Sequence, residues 1–214
     1  MQLSPDGTRA LAIVYSSPNQ FLALPSGAGE PQAPTVDGFT YRTAGWHPDG
    51  RRVVFVGGPQ GQAFSTYIQD AAGGAPTRLD VDLSSVPGGF DNLSLLVSPD
   101  GKWLTGGAGP PTLLPIEGGQ PRRLQNLGST DDPIGWTADG RGLFVSRNGS
   151  TEGAVQIVRV DVASGAIEPV REIVPNDLVG LKQRPLCLVT PDGRTIVYVT
   201  KRYLTDLYLV EGLK

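Results

Sequence analysis

One histidine and one cysteine, His47 and Cys187, are all that this 214-residue chain offers to imidazole or thiol chemistry. A multi-histidine or multi-cysteine metal site is therefore excluded, and a catalytic triad would have to run through His47. His47 stands in a turn where serine or threonine fills the same place elsewhere, which fits a hairpin residue better than a base. Cys187, between Leu186 and Leu188, reads as a small apolar side chain in a strand. The carboxylates Asp80 and Asp82, or Asp131 and Asp132, could begin a calcium loop, but further ligands at calcium spacing are missing. No Gly-x-Ser-x-Gly elbow, phosphate-binding glycine loop or kinase catalytic-loop motif is present. The expectation is a chain with no catalysis, metal or cofactor of its own.

The chemistry that does recur is positive charge. Arg51, Lys102, Arg141 and Arg194 each follow the glycine of a recurring four-residue phrase, and Thr8 follows the fifth copy. If the copies are equivalent, four cations share one rim and could recruit an acidic partner segment. As ordinary turn residues they would be solvated and partly offset by the neighbouring aspartate. A second set of candidates lies in the two long spacers, residues 81–95 and 173–186. Phe90, Asp91 and Asn92 in the first, and Asn176, Asp177, Lys182 and Arg184 in the second, are the expected contacts for a protein or small-ligand partner.

The phrase that positions these residues is Ser4-Pro5-Asp6-Gly7, His47-Pro48-Asp49-Gly50, Ser98-Pro99-Asp100-Gly101, Thr137-Ala138-Asp139-Gly140 and Thr190-Pro191-Asp192-Gly193. Its aspartates are 43, 51, 39 and 53 residues apart, the range of one four-stranded propeller blade. Proline presets φ, aspartate accepts hydrogen bonds from backbone amides ahead of it, and glycine takes the φ > 0 position that closes the hairpin. An apolar residue precedes each copy (Leu3, Trp46, Val97, Trp136, Val189), and an apolar run follows it, as in Val53-Val54-Phe55-Val56 and Ile196-Val197-Tyr198-Val199. Runs this short and without polar alternation predict strands covered on both faces. The two tryptophans are expected to pack in the core. Third strands are read at Phe21-Leu22-Ala23-Leu24, Thr66-Tyr67-Ile68, Leu113-Leu114-Pro115-Ile116, Val155 to Val160 and Leu207-Tyr208-Leu209-Val210. Short polar fourth strands follow glycine turns, for example Thr77-Arg78-Leu79 and Arg122-Arg123-Leu124-Gln125. The blades with Ala138 in place of proline, and with Gly106-Gly107 in a strand, are expected to be looser. Residues 173–182 are expected to hold one turn of helix, interrupted by Pro175.

The fold class is thus all-β: a propeller of about five four-stranded blades in a single region, 1–214. The repeat units are approximately 1–36, 37–80, 81–125, 126–172 and 173–214. The fifth unit stops after its third strand, so the expectation is a fragment of a longer propeller with a natural C-terminus, or a ring with an incomplete last blade. The context of the five copies, apolar residue, Ser or Thr, Pro-Asp-Gly, basic residue, apolar strand and later Gly-Gly, resembles the TolB-type, WD-repeat-like β-propeller across essentially the whole chain. The closing segment Asp206-Leu207-Tyr208-Leu209-Val210-Glu211-Gly212-Leu213-Lys214 resembles the C-terminus of propeller regions attached to acidobacterial-type serine/threonine protein kinases. That resemblance implies a recognition or sensor region whose catalysis lies in an upstream kinase domain. Two alternatives are a gating propeller of a prolyl-oligopeptidase-type peptidase and a periplasmic TolB-like envelope protein.

Composition agrees with a turn-rich β protein: 29 glycines and 19 prolines exceed average usage without forming a tract. Net charge of -3 and a pI near 5.1 argue against general nucleic-acid binding. No apolar stretch of about 18 residues or signal-peptide pattern appears, so no membrane insertion by these residues is expected. The compartment stays open: extracytoplasmic if the chain follows a membrane span in a longer receptor, otherwise cytoplasmic.

Overall fold

A computed structural model describes residues 2–81, 95–106, 109–181 and 183–203. They form five antiparallel sheets, each consecutive in sequence. The first comprises β1 (Gln2–Leu3), β2 (Arg9–Val14) and β3 (Gln20–Pro25), with a single bridge from Ala23 to Gln32 at its outer edge. The second comprises β4 (Phe39–Trp46), β5 (Arg52–Pro59), β6 (Ser65–Asp70) and β7 (Thr77–Arg78). The third comprises β8 (Leu96–Val97), β9 (Trp103–Thr105), β10 (Thr112–Pro115) and β11 (Arg122–Arg123). The fourth comprises β12 (Asp132–Trp136), β13 (Gly142–Asn148), β14 (Val155–Asp161) and β15 (Ile167–Ile173), and the fifth pairs β16 (Leu186–Val189) with β17 (Ile196–Val199). The inner strands β1, β4, β8, β12 and β16 neighbour one another in that order. This is a propeller arrangement, as the repeat predicts.

Each recurring phrase joins the first strand of a blade to its second, and its chemistry repeats atom for atom. The glycines take φ between +68° and +73°, and each glycine N–H donates to the carbonyl three residues back, as in Gly7 to Ser4 at 2.8 Å. The aspartate carboxylate accepts the backbone N–H two residues on, as in Thr8 to Asp6 at 3.0 Å and Arg141 to Asp139 at 3.0 Å. In four copies the Ser or Thr hydroxyl donates to that carboxylate and accepts the amide five residues on. His47 takes the hydroxyl's place with Nδ1 3.0 Å from Asp49, so it serves the hairpin. Four turns build the same geometry from Pro-Asp-Gly, and the fourth does so without proline.

Alternation along the strands explains why they lack polar residues. On β5, Val53 and Phe55 point to the first blade and, with Tyr41 and Trp46 of β4, meet its Leu11, Phe21 and Ala23. Val54 and Val56 point the other way, to Leu95, Leu104, Leu114 and Ile116 of the third. A further cluster joins Leu96, Leu113 and Leu124 to Trp136, Leu143, Val145 and Val160, and a smaller one joins Val155, Ile157 and Ile173 to Cys187. The core therefore lies between blades, and Trp46, Trp136 and Cys187 are buried in it. Gly45 sits where a Cβ would collide with the Leu95 carbonyl oxygen, so glycine permits the close approach of neighbouring inner strands.

Two local expectations differ from the structure. The fourth blade, which lacks the turn proline, is not shortened: its outer strand β15 has seven residues where β7 and β11 have two. Thr137, Asp139 and Gly140 supply the turn bonds without proline. No helical turn forms among the described residues of 173–182. Ile173 instead completes β15 opposite Val155, and the Asp177 carboxylate accepts the Val179 N–H at 2.9 Å. The expected third strand at Leu207 to Val210 lies outside the described residues.

Candidate functional site

The ends of the blades opposite the recurring turns carry loops that do not repeat. Three of them meet at the end of the fourth blade: the connection from β11 to β12, the loop from β13 to β14, and the connection from β15 to β16. They enclose a cleft of about 750 Å³ lined by Ser129, Thr130, Asp132, Asn148, Arg184 and residues of the loop from Gly149 to Ala154. Hydroxyl, amide and charged groups share this wall with an almost equal apolar surface.

Two arginines anchor the cleft. Asp131 is 3% exposed, and Arg147 from β13 clasps it with two bonds, Nε to Oδ1 at 3.1 Å and Nη2 to Oδ2 at 3.0 Å. The Gly128 amide adds a third at 2.8 Å. Arg184 reaches from the connection after β15 and donates through Nη2 to Asp132 at the start of β12. Burial pushes the Asp132 carboxyl up from its ordinary value, with Arg184 acting against that rise and neighbouring Asp131 adding to it. Glu172 on β15 accepts the Ser150 amide at 2.5 Å, a bond that lowers its carboxyl's pKa and ties the β13–β14 loop to the outer strand. Leu178 and Leu181 close over Gly153 of the same loop.

Of the residues expected to contact a partner, Arg184 lines this cleft. Asp177 lies beyond it, bonded through its carboxylate and its carbonyl to Arg202. Asn176 is exposed. Phe90, Asp91, Asn92 and Lys182 lie outside the described residues. Arg51, Lys102, Arg141 and Arg194 occupy the opposite rim, all exposed. There Arg51 donates to Asp70 at 2.6 Å, and Arg194 Nε lies 3.9 Å from Asp192. The described members of the two sets, Arg184, Asn176 and Asp177 on one side and the four turn cations on the other, therefore lie at opposite ends of the blades.

Sequence reasoning missed Ser129, Thr130 and the loop from β13 to β14, and weighed Asp132 only as part of a calcium loop. The available signal was Asn148-Gly149-Ser150-Thr151-Glu152-Gly153, a polar run between two apolar strands that is longer than a tight hairpin requires. Asp131 and Asp132 each engage an arginine. Among the described residues no group of three His, Cys, Asp or Glu side chains is placed to hold a metal ion.

No protein-family model matches the chain. It is 28% identical over 109 residues to a 6-phosphogluconolactonase of Sodalis glossinidius (strain morsitans), a match covering 47% of this chain and 33% of the lactonase. Its structure is similar to TolB from Acinetobacter baumannii, with a TM-score of 0.61 and 15% identity, over 93% of this chain and 53% of that one. A putative TolB from Agrobacterium tumefaciens gives 0.62 and 22%, over 94% and 69% respectively. A chain of a nidogen/laminin complex gives 0.58 and 12%, over 91% and 70%. The chain thus spans about a third of the lactonase's length and about half of the first TolB's. At these identities the likeness shows the fold alone, a β-propeller.

Proposed function

We propose that this chain is a non-catalytic recognition region, a propeller scaffold that binds a polar partner at the cleft on its fourth blade. The observation that carries this reading is the cleft wall itself. Ser129, Thr130, Asn148, Ser150 and Thr151 offer paired donors and acceptors, and the arginine among them is held by Asp132. Such a wall suits hydrogen-bonded recognition on a rigid frame. The finer assignment is to the C-terminal part of a bacterial serine/threonine kinase-like protein. It is supported by the resemblance of Asp206 to Lys214 to kinase-linked propellers, and catalysis would then belong to a separate domain.

The test is a thermal-shift panel of neutral disaccharides and of acidic and basic hexapeptides, run on the wild type, Arg184→Ala, and a variant with Arg51, Lys102, Arg141 and Arg194 all changed to glutamine. A probe that stabilises the wild type and the glutamine variant but not Arg184→Ala supports cleft recognition. Acidic peptides that lose their effect only in the glutamine variant assign binding to the turn rim instead. If no probe shifts the wild type, the cleft reading is rejected for these ligand classes.

A second reading is favoured by the raised Asp132 carboxyl beside Arg184, together with the match to a lactonase. Asp132 would activate water against a sugar lactone, and Arg184 would hold the developing anion. Lactone hydrolysis above background that disappears in Asp132→Asn supports it. A wild-type rate equal to background removes it.

A further inference from the structure

Charge in the cleft on the fourth blade is unbalanced. Among the described residues, three charged side chains line it, Asp132, Glu152 and Arg184. Arg184 and Asp132 hold each other, so the charge left over is that of Glu152. Its carboxylate stands on the loop from β13 to β14, exposed, and makes no hydrogen bond or ion pair among the described residues. The side chains of Ser129, Thr130, Asn148 and Thr151 around it are exposed and equally uncommitted. An anionic ligand would meet Glu152 and also Asp132, whose carboxyl burial already pushes up.

Beside Glu152 the chain supplies hydrocarbon. Gly153 has φ of +74°, and a Cβ there would lie 2.8 Å from Leu178 Cδ2 and 2.9 Å from Leu181 Cδ2. The absence of a side chain lets both leucines of the β15–β16 connection sit against the loop. Leu178 is 46% exposed, so an open apolar surface is packed on the residue that follows the free carboxylate. Hydrocarbon next to an unpaired anion is what a long basic side chain requires, with its alkyl stem on the one and its charged head on the other. No aromatic ring lines the cleft among the described residues, so a sugar ring finds no flat apolar face there. The hydroxyl and amide groups of the wall suit a peptide backbone, which carries one donor and one acceptor per residue.

We infer that the cleft receives a basic side chain, lysine or arginine, from an extended segment of a partner protein. The cation sits at Glu152, the stem lies over Leu178, and the flanking peptide groups bond to the hydroxyls and amide of the wall. This rests on the cleft reading above and adds to it the class of partner. Charge complementarity selects that class: the free carboxylate attracts a cation, and the paired Arg184 leaves no surplus positive charge for an acid.

Nuclear magnetic resonance titration of the isotope-labelled chain tests this, because it reads weak binding at single amides. The probes are the end-blocked peptide Gly-Ser-Lys-Ser-Gly, its counterparts with norleucine or glutamate at the centre, butylammonium chloride, and trehalose. The lysine peptide should shift the amides of Thr151, Glu152 and Gly153 saturably. The norleucine peptide on the wild type, and the lysine peptide on Glu152→Gln, should each bind about two- to fivefold more weakly, the range of an exposed ion pair. The glutamate peptide should bind more weakly still. Glu152 is exposed and unbonded, so Glu152→Gln should keep the wild-type spectrum away from the cleft. Cleft shifts that are equal for the three peptides, or unchanged in Glu152→Gln, overturn the basic partner and leave the cleft reading standing. So does trehalose acting at the cleft where the lysine peptide does not. Butylammonium that binds as tightly as the lysine peptide overturns the protein partner in favour of a free amine. If no probe moves a cleft amide, this inference and the cleft reading fall together.

Discussion

The two rims of the blades are built by opposite rules. On the turn rim, five copies of one phrase make the same glycine-amide bond to within a few tenths of an ångström, and the glycine φ angles span 68° to 73°. On the cleft rim the loops differ in length and composition, and their bonds, Arg147 to Asp131 and Arg184 to Asp132, occur once each. Repetition follows what every blade needs to fold, whereas a binding surface has to differ from blade to blade. On the reading proposed above, recognition belongs where the repeat breaks down.

The largest expected effect would break this division, because one cleft-rim pair is structural. Arg147→Ala leaves the Asp131 carboxylate buried without its partner and should cost about 3–5 kcal/mol in urea unfolding. Changing both residues to apolar ones of similar volume should recover most of the loss. On the turn rim, Gly101→Ala should cost about 1–2 kcal/mol, because the new methyl meets φ of +73° and the His47 ring 2.8 Å away. Gly7→Ala should cost less, since it meets only the backbone penalty. The difference in melting midpoint between the two measures the interlock of adjacent turns. Thr137→Val removes a buried hydroxyl that donates to Asp139 and accepts from the Gly142 amide, with an expected cost of about 1–2 kcal/mol by the same unfolding assay.

Acid should separate the turn carboxylates from Asp132 by sign. The Ser4 hydroxyl, followed by the Thr8 amide and hydroxyl, lowers the Asp6 carboxyl to about 2, and hydroxyls of Thr137 and Thr190 lower Asp139 and Asp192 likewise. Stability from these groups is present above the ordinary carboxylate value of 3.8 and is lost as pH falls towards 2. Asp132 is raised, so its contribution runs the other way: stability declines as pH rises from 3.8 through the raised value. Melting temperatures from pH 2 to 7 should show Asp6→Asn flattening the acid limb, and Asp132→Asn removing the decline above it. The smallest effects belong to Ser129→Ala and Thr151→Ala, within about 0.5 kcal/mol by thermal melting. Cleft residues should thus matter to a ligand and hardly at all to the fold.

The same asymmetry governs how much of the molecule is legible in its sequence. Pro-Asp-Gly followed by Val53-Val54-Phe55-Val56 has a local cause at every position, so turn, strands and two-sided burial can be read together. Gly45 carries no such signal, because its reason is the Leu95 carbonyl fifty residues away. Asp131 and Asp132 look like an unfinished calcium loop, and only the fold brings Arg147 and Arg184 to them. Arg184 is expected at the loop face from spacer length alone. Asn148 to Gly153 escapes notice because a loop that occurs once offers no second copy for comparison.

The three tryptophans give the molecule an optical address for three of its blades. Trp46, in the second, donates its indole N–H to the Gln2 carbonyl at 3.2 Å. Trp103, in the third, lies beneath the Arg122 guanidinium at 5.6 Å. Trp136, in the fourth, buries an indole nitrogen with no acceptor among the described residues. Three indoles in three chemical settings should emit at different wavelengths and quench with different ease. Single-tryptophan variants would therefore show by colour which blade opens first when the propeller unravels.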